Sequence, residues 1–324
     1  MVVRFLKHLR PKYIDKNAAG LTVTFGLGGL LTLLFIILTV SGIILMFFYI
    51  PTKNDAYTSV KKITDIIPFT GLLRDIHRIS GELMIVAAFF HMVRVVLVKP
   101  FDNKYRIYNW ITGVLLFILI FPFNFTGYLL PWDNISYWGA TIVLNLINSI
   151  PLAGEKFRLV IAGSSNIPNT ATLIRFYTYH VVLLPMIFIF LMMNHFYLVR
   201  AAGGVKVTGV AKKERINSGE LFKIEVIYAL IAIILIIALC HFFYNAPLVE
   251  NANKGLIPSV VKAPWYFAGI QFLLTYIPPL TAGVVIPIFY IIFMLFFYKI
   301  GKISIFLIIH ILFIVFTILE LYVK

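Results

Sequence analysis

Seven long apolar stretches constrain this 324-residue chain more than any other feature. They cover residues 23–49, 79–98, 111–130, 174–199, 225–244, 280–298 and 303–322. Each is about as long as the ~20 residues a helix needs to cross the hydrocarbon core of a bilayer. Lipid offers the backbone no hydrogen-bond partner, so such stretches must be helices. Hydrophobic residues make up 61% of the chain and charged residues 13%, too few to coat a water-soluble globule. The first stretch is longer than the apolar core of a cleaved export signal and is read as a helix. The expected fold is an all-α integral membrane protein, four helices in residues 1–205 and three more in 206–324.

The net charge of +15 would suggest nucleic acid in a soluble protein. Here the basic residues lie in loops and termini, where they set topology, and no nucleic-acid partner is expected. Counted by alternate sides, 17 of the 28 Lys and Arg fall on the side of the N-terminus and 11 on the other. That places the N-terminus on the negative (n) side of an energy-transducing membrane. Residues 201–218, with a Gly-Gly pair and the basic run Lys212, Lys213 and Arg215, look like an n-side linker. On the positive (p) side the expected features are two long excursions, 131–173 and 245–279, the first with an amphipathic piece over 135–150. Two long excursions on one face point to a site there.

Four of the seven histidines form a pattern. His77 and His91 are 14 residues apart on the second helix, and His180 and His195 are 15 apart on the fourth. Either step is within roughly 60° of four full turns and spans roughly 21–22 Å, so each helix offers two imidazoles on one broad face at two depths. Both helices run from p to n, which levels His77 with His180 and His91 with His195. Two sites with two axial imidazoles each are how six-coordinate haem iron is held for electron transfer. A single membrane histidine could equally hydrogen-bond a neighbouring helix; four in matched registers favour two haems. Gly28 and Gly42 on helix one, and Gly113 and Gly127 on helix three, repeat the 14-residue step. Without a Cβ they would let a flat macrocycle approach the backbone, although close helix packing alone also uses such residues. Arg74 and Arg78 bracket His77, and Arg94 follows His91 by three residues. They could neutralise haem propionates or simply snorkel to the interface.

These residues resemble cytochrome b of the quinol-oxidising bc and bf complexes. The likeness lies in RDIHR around His77, HMVRV at His91, WITGV at Trp110, FTGYLLPWDN from Phe125 and TLIRFYTYHVVLLP around His180. It covers residues 20–205, and is thinner beyond 220, where KAPWYF from Lys262 carries it. The 15-residue histidine step is similar to the bf type, in which the protein is split in two chains. The resemblance implies two non-covalent b-type haems, with His77 and His180 on the low-potential p-side haem and His91 and His195 on the high-potential n-side haem. It implies a p-side quinol site formed by Tyr128, Pro131 to Asp133, the surface helix, and Pro264, Trp265 and Tyr266. A quinone would be reduced near Arg200 and the N-terminal segment. A Rieske-type iron-sulfur protein, a c-type cytochrome subunit and a homodimer of the complex are the partners it implies.

The sequence departs from the family in two places. Aligned on Trp265 and Tyr266, the family's Pro-Glu-Trp-Tyr becomes Ala263-Pro264-Trp265-Tyr266, so the usual proton-accepting glutamate is missing. Asp133, Tyr137 and Glu250 are the remaining candidates, and menaquinol is the expected substrate. Gly26 stands where the bf type has a cysteine that tethers a third haem, so no covalent haem is expected. The chain has one cysteine, Cys240, and no Cys-x-x-Cys-His, so an iron-sulfur cluster and a c-type haem must come from partners. Competing readings are a dihaem anchor between a dehydrogenase and the quinone pool, which needs only four or five helices, and a transporter using its histidines for protons or metal. A homologue that keeps its haems without a working quinol site is the fourth. His8, His241 and His310 have no partner at matching depth and read as surface or structural residues.

Overall fold

The computed structural model describes residues 13–15, 25–164, 167–206, 215–252 and 261–322. Seven of its helices are long and apolar enough to cross a membrane: α1 (Leu27–Met46), α3 (Thr70–Val98), α4 (Lys104–Leu129), α7 (Thr170–Ala201), α8 (Ser218–Phe242), α10 (Thr281–Ile300) and α11 (Ile303–Tyr322). Shorter helices lie between them: α2 (Ala56–Asp65), α5 (Asn134–Asn148), α6 (Gly154–Ala162) and α9 (Trp265–Tyr276). Two three-residue strands, β1 (Tyr13–Asp15) and β2 (Arg215–Asn217), pair antiparallel. The basic run at Lys212 and Lys213 lies outside the described residues.

Four of the membrane helices, α3, α4, α7 and α8, begin earlier than hydropathy suggests, and the first turns of two of them show why. The second span starts at Thr70, not 79, because its polar residues have protein partners. Arg74 Nη1 donates to the Ala246 carbonyl at 2.8 Å, and the Ala246 N–H donates to Asp75 at 2.7 Å. Buried polar groups are tolerated when they are bonded in this way. The third span starts at Lys104, not 111, with Arg106 paired to Asp102 at 3.1 Å. The expected amphipathic piece is α5, begun by Asp133, whose side chain accepts from the Ser136 N–H at 2.9 Å. The second excursion contains α9, a helix that the sequence pattern did not show.

Two of the spans contain a π turn, Tyr179–Leu183 in α7 and Thr281–Val285 in α10. In each case a proline follows two residues later, Pro185 and Pro287. Proline has no N–H to give and its ring crowds the carbonyl four residues back. The wider i→i+5 turn relieves that crowding and takes in one extra residue. Gly26, at the start of α1, has φ 61°, a left-handed conformation glycine adopts freely and a cysteine would not.

By contacts the chain divides into two units. The first comprises residues up to Phe47, Ile63–Asn124 and Leu184–Ala246; within it α1 and α8 pack on α3. The second comprises Phe48–Lys62, Phe125–Leu183 and Pro247–Lys324. Within it α9 packs on α11, at Gly269, where an added Cβ would stand 2.9 Å from the Phe313 ring. Most of the surface of the seven spans faces outward and is apolar, as in Ile234 and Leu235 of α8. The protein is an integral membrane protein.

Candidate haem-binding site

Each of the four spaced histidines lies against one of the four spaced glycines. A Cβ added at Gly28 would stand 3.8 Å from His91 Cε1, and one at Gly113 would stand 3.2 Å from His195 Cε1. The corresponding separations are 3.1 Å for Gly42 and His77 and 2.7 Å for Gly127 and His180. The sequence predicted room at these depths for a macrocycle; what the structure places against the glycine backbone is the imidazole. The missing side chain lets each ring pack on the neighbouring helix.

Within the first unit His91 and His195 face one another, with ring centroids 6.4 Å apart and planes inclined by 65°. Two imidazoles bound to opposite sides of one metal ion, each with a bond of about 2 Å, have centroids roughly 6 Å apart. The spacing therefore fits one six-coordinate iron between two neutral nitrogens. His77, also in the first unit, and His180, in the second, each have a hydroxyl at Nδ1: Ser41 Oγ at 2.8 Å and Thr126 Oγ1 at 3.1 Å. A metal-binding histidine usually has its second nitrogen held in this way, which leaves Nε2 for the metal. Sequence reasoning missed both hydroxyls, though each immediately precedes its glycine, as Ser41-Gly42 and Thr126-Gly127.

The π turn explains why the histidines of α7 are 15 residues apart and those of α3 are 14. His180 lies inside the turn, which absorbs one residue, so the helical phase from His180 to His195 is that of a 14-residue step in regular helix.

The arginines singled out beside His77 and His91 in the sequence have protein partners. Arg74 holds Ala246, Arg78 pairs with Glu82 at 3.5 Å, and Arg94 Nη2 donates to the Lys206 carbonyl at 3.1 Å. Arg200 is half-buried near the end of α7. The N-terminal segment named beside it lies mostly outside the described residues.

In the second unit the motif residues of both excursions come together. The Phe125 and Phe267 rings are 6.1 Å apart, and Tyr128 packs at Gly139 of α5. Trp132 is buried with φ 53°, a strained backbone of the kind that clusters at functional sites, and its ring meets Tyr137 at 5.7 Å. The Asp133 carboxylate accepts from the Ser136 N–H, the Ser136 hydroxyl at 2.5 Å and the Val249 N–H at 3.2 Å. Asp133 is thus a buried cap that also ties down residues 249–252. The Asn134 N–H donates to the Glu250 carbonyl at 2.8 Å, and the exposed Glu250 is held beside the Pro-Trp-Asp turn. Burial holds the Tyr137 phenol above its ordinary pKa. Pro264 caps α9, whose first residues are Trp265 and the buried Tyr266. Gln271, not singled out in the sequence, receives the Ala263 N–H at 2.6 Å and donates to the Val261 carbonyl at 2.8 Å, fixing the segment where the family carries glutamate.

The profile of the family described as cytochrome b/b6/petB matches residues 13–203, more than half of the chain. The chain belongs to this family. It is 38% identical to cytochrome b6 of Heliomicrobium gestii over 183 residues, 56% of this chain and 85% of the relative. It is 37% identical to cytochrome b6 of Prochlorothrix hollandica over 195 residues, 60% and 86% of the two chains. Among solved structures, a chain of a hyperthermophilic respiratory complex III superposes with a TM-score of 0.81 at 23% identity. That match covers 98% of this cytochrome b family member and 88% of the other chain, so the common fold extends past the family profile into the last three membrane helices.

Proposed function

We propose that this family member binds two b-type haems, one between His91 and His195 and one between His77 and His180, and works as the cytochrome b subunit of a quinol-oxidising complex. The observation that carries the reading is the separation of His91 and His195, which suits one iron and its two axial bonds. The pairing of His77 with His180 rests on their matching depth in the sequence and on the family. The two histidine pairs would hold the haems, which would supply single-electron transfer with no position open to a substrate.

The chain's own residues do the rest. Four glycines at two depths set each ring close to the next helix, and Ser41 and Thr126 hold the second nitrogen of His77 and His180. Arg78 and Arg94 would neutralise propionates. On the proposed p side Tyr128, the Pro131–Asp133 turn and Pro264 to Tyr266 would receive a quinol, menaquinol by preference. The three-helix portion, 206–324, contributes to that site. Oxidising a quinol releases protons, so a base must stand nearby. Asp133 is occupied three times over and the Tyr137 phenol stays protonated, which leaves Glu250 as the acceptor. The n-side quinone site would lie near Arg200, and the N-terminus on that side. A Rieske-type protein and a c-type cytochrome would take the other electron, in a dimeric complex.

The test is haem content per chain by pyridine haemochrome, with potentiometry of the α band. Two b haems with separate midpoints are expected, one lost in His77→Ala and the other in His91→Ala. A chain with no haem, or with one, would defeat the proposal.

A further inference from the structure

We infer that Ser41 and Thr126 are positioning residues that make the haem held by His77 and His180 the lower-potential of the two. The inference rests on the two-haem reading above. Its ground is a difference between the two histidine pairs in what surrounds Nδ1.

The proton positions follow from the bonds around Ser41. Its hydroxyl lies 2.6 Å from the Ile37 carbonyl, one turn back in α1, and 2.8 Å from His77 Nδ1. A hydroxyl has a single proton, and a carbonyl can only accept, so the proton of Ser41 goes to Ile37. The Ser41 oxygen then accepts from His77 Nδ1–H, and Nε2 keeps its lone pair for iron. At His180 an iron on Nε2 imposes the same order, with Nδ1–H donating to Thr126 Oγ1 at 3.1 Å.

The other pair is built differently. Gly28 is preceded by Leu27, which has no hydroxyl. Gly113 is preceded by Thr112, whose hydroxyl has other partners: it donates to the Tyr108 carbonyl at 2.9 Å and accepts from Asn194 Nδ2 at 3.4 Å. Among the described residues no hydroxyl bonds His91 or His195. The Asn109 backbone lies beside the His195 ring, and Nδ1 makes no hydrogen bond of ordinary geometry.

A hydrogen bond from Nδ1–H raises the basicity of an imidazole as a ligand. A more basic axial ligand favours the ferric over the ferrous state and lowers the potential, so second-shell bonding is one of the protein's levers on haem. A hydroxyl on each ring at one haem, against only the Asn109 backbone beside one ring at the other, orders the two potentials. The device is local, one hydroxyl for each ring, and is separable from ligation itself.

The experiment is equilibrium potentiometry of the purified protein carrying Ser41→Ala, Ser41→Thr or Thr126→Val, with haem content measured on the same samples. The haem whose band disappears in His77→Ala should shift to a higher midpoint in Ser41→Ala and in Thr126→Val. The other midpoint should stay in place, and Ser41→Thr should behave as the unmodified protein. Thr126→Val keeps the shape of the side chain and decides the matter if Ser41→Ala does not fold. Two retained haems with unmoved midpoints, or with both midpoints moved together, overturn the inference and leave the two-haem reading standing. No haem in the unmodified protein overturns both.

Discussion

A glycine to alanine change is ordinarily mild in a helix, and even adds roughly 0.5–1 kcal/mol by lowering backbone entropy in the unfolded chain. At the four histidine-facing glycines the consequence is different, because the added Cβ meets an imidazole and the ring must move. The separations grade the effect: 2.7 Å at Gly127, 3.1 Å at Gly42, 3.2 Å at Gly113 and 3.8 Å at Gly28. Gly127→Ala should lose most of one haem, about half of the total, and Gly28→Ala should keep both. Neither should lower the melting temperature of the haem-free protein. Haem content with circular dichroism melts checks this; equal losses at Gly28 and Gly127 would show that the glycines serve packing in general. The spacing of these glycines was legible in the sequence, because it repeats the histidine step. Their contact with the imidazoles was not, since periodicity fixes a depth and a face but not which neighbour comes closest. The hydroxyls of Ser41 and Thr126 were hidden for the same reason, and the capping role of Asp133, a candidate proton acceptor in the sequence, was hidden because capping depends on where α5 begins.

At the scale of elements, the number and order of the membrane spans were legible; their boundaries and the shorter helices α2, α6 and α9 were not. Hydropathy finds the apolar middle of a membrane helix and loses its polar end turns, as at Arg74 and Asp75, whose partner Ala246 is about 170 positions further along the chain. It also cannot see a π turn. One residue more or less rotates everything beyond it by about 100° and shifts it by about 1.5 Å. The 15-residue step of α7 therefore needs the turn at Tyr179–Leu183 to keep the phase that α3 reaches with 14. Deleting Val181 together with Pro185→Ala should allow a regular helix with a 14-residue step and retain both haems. Inserting one alanine after Ile189, where no π turn can absorb it, should cost at least one. The haem spectrum distinguishes the two variants. Loss of haem in the deletion and retention in the insertion would remove the π turn from the account of the spacing.

For the molecule as a whole, electron counting limits what the chain can do alone. A quinol delivers two electrons, and the proposed chain holds two single-electron carriers. Its one cysteine is buried in α8, and it has no Cys-x-x-Cys-His to hold a third carrier by covalent haem. Quinol added to the isolated, oxidised chain should therefore reduce its haems once and then stop. Steady reduction of an external acceptor should require the iron-sulfur partner. In the assembled complex Glu250→Gln should slow turnover with both haems retained, because the other two candidate bases are a committed cap and a buried phenol. Stopped-flow absorbance at the α band follows both reactions. Sustained turnover by the isolated chain would show that the electrons leave by another route and that the molecule is a relay between the quinone pool and an acceptor. A burst limited to the haems, with turnover restored by the partner and slowed by Glu250→Gln, ties the two excursions and the four histidines into one machine.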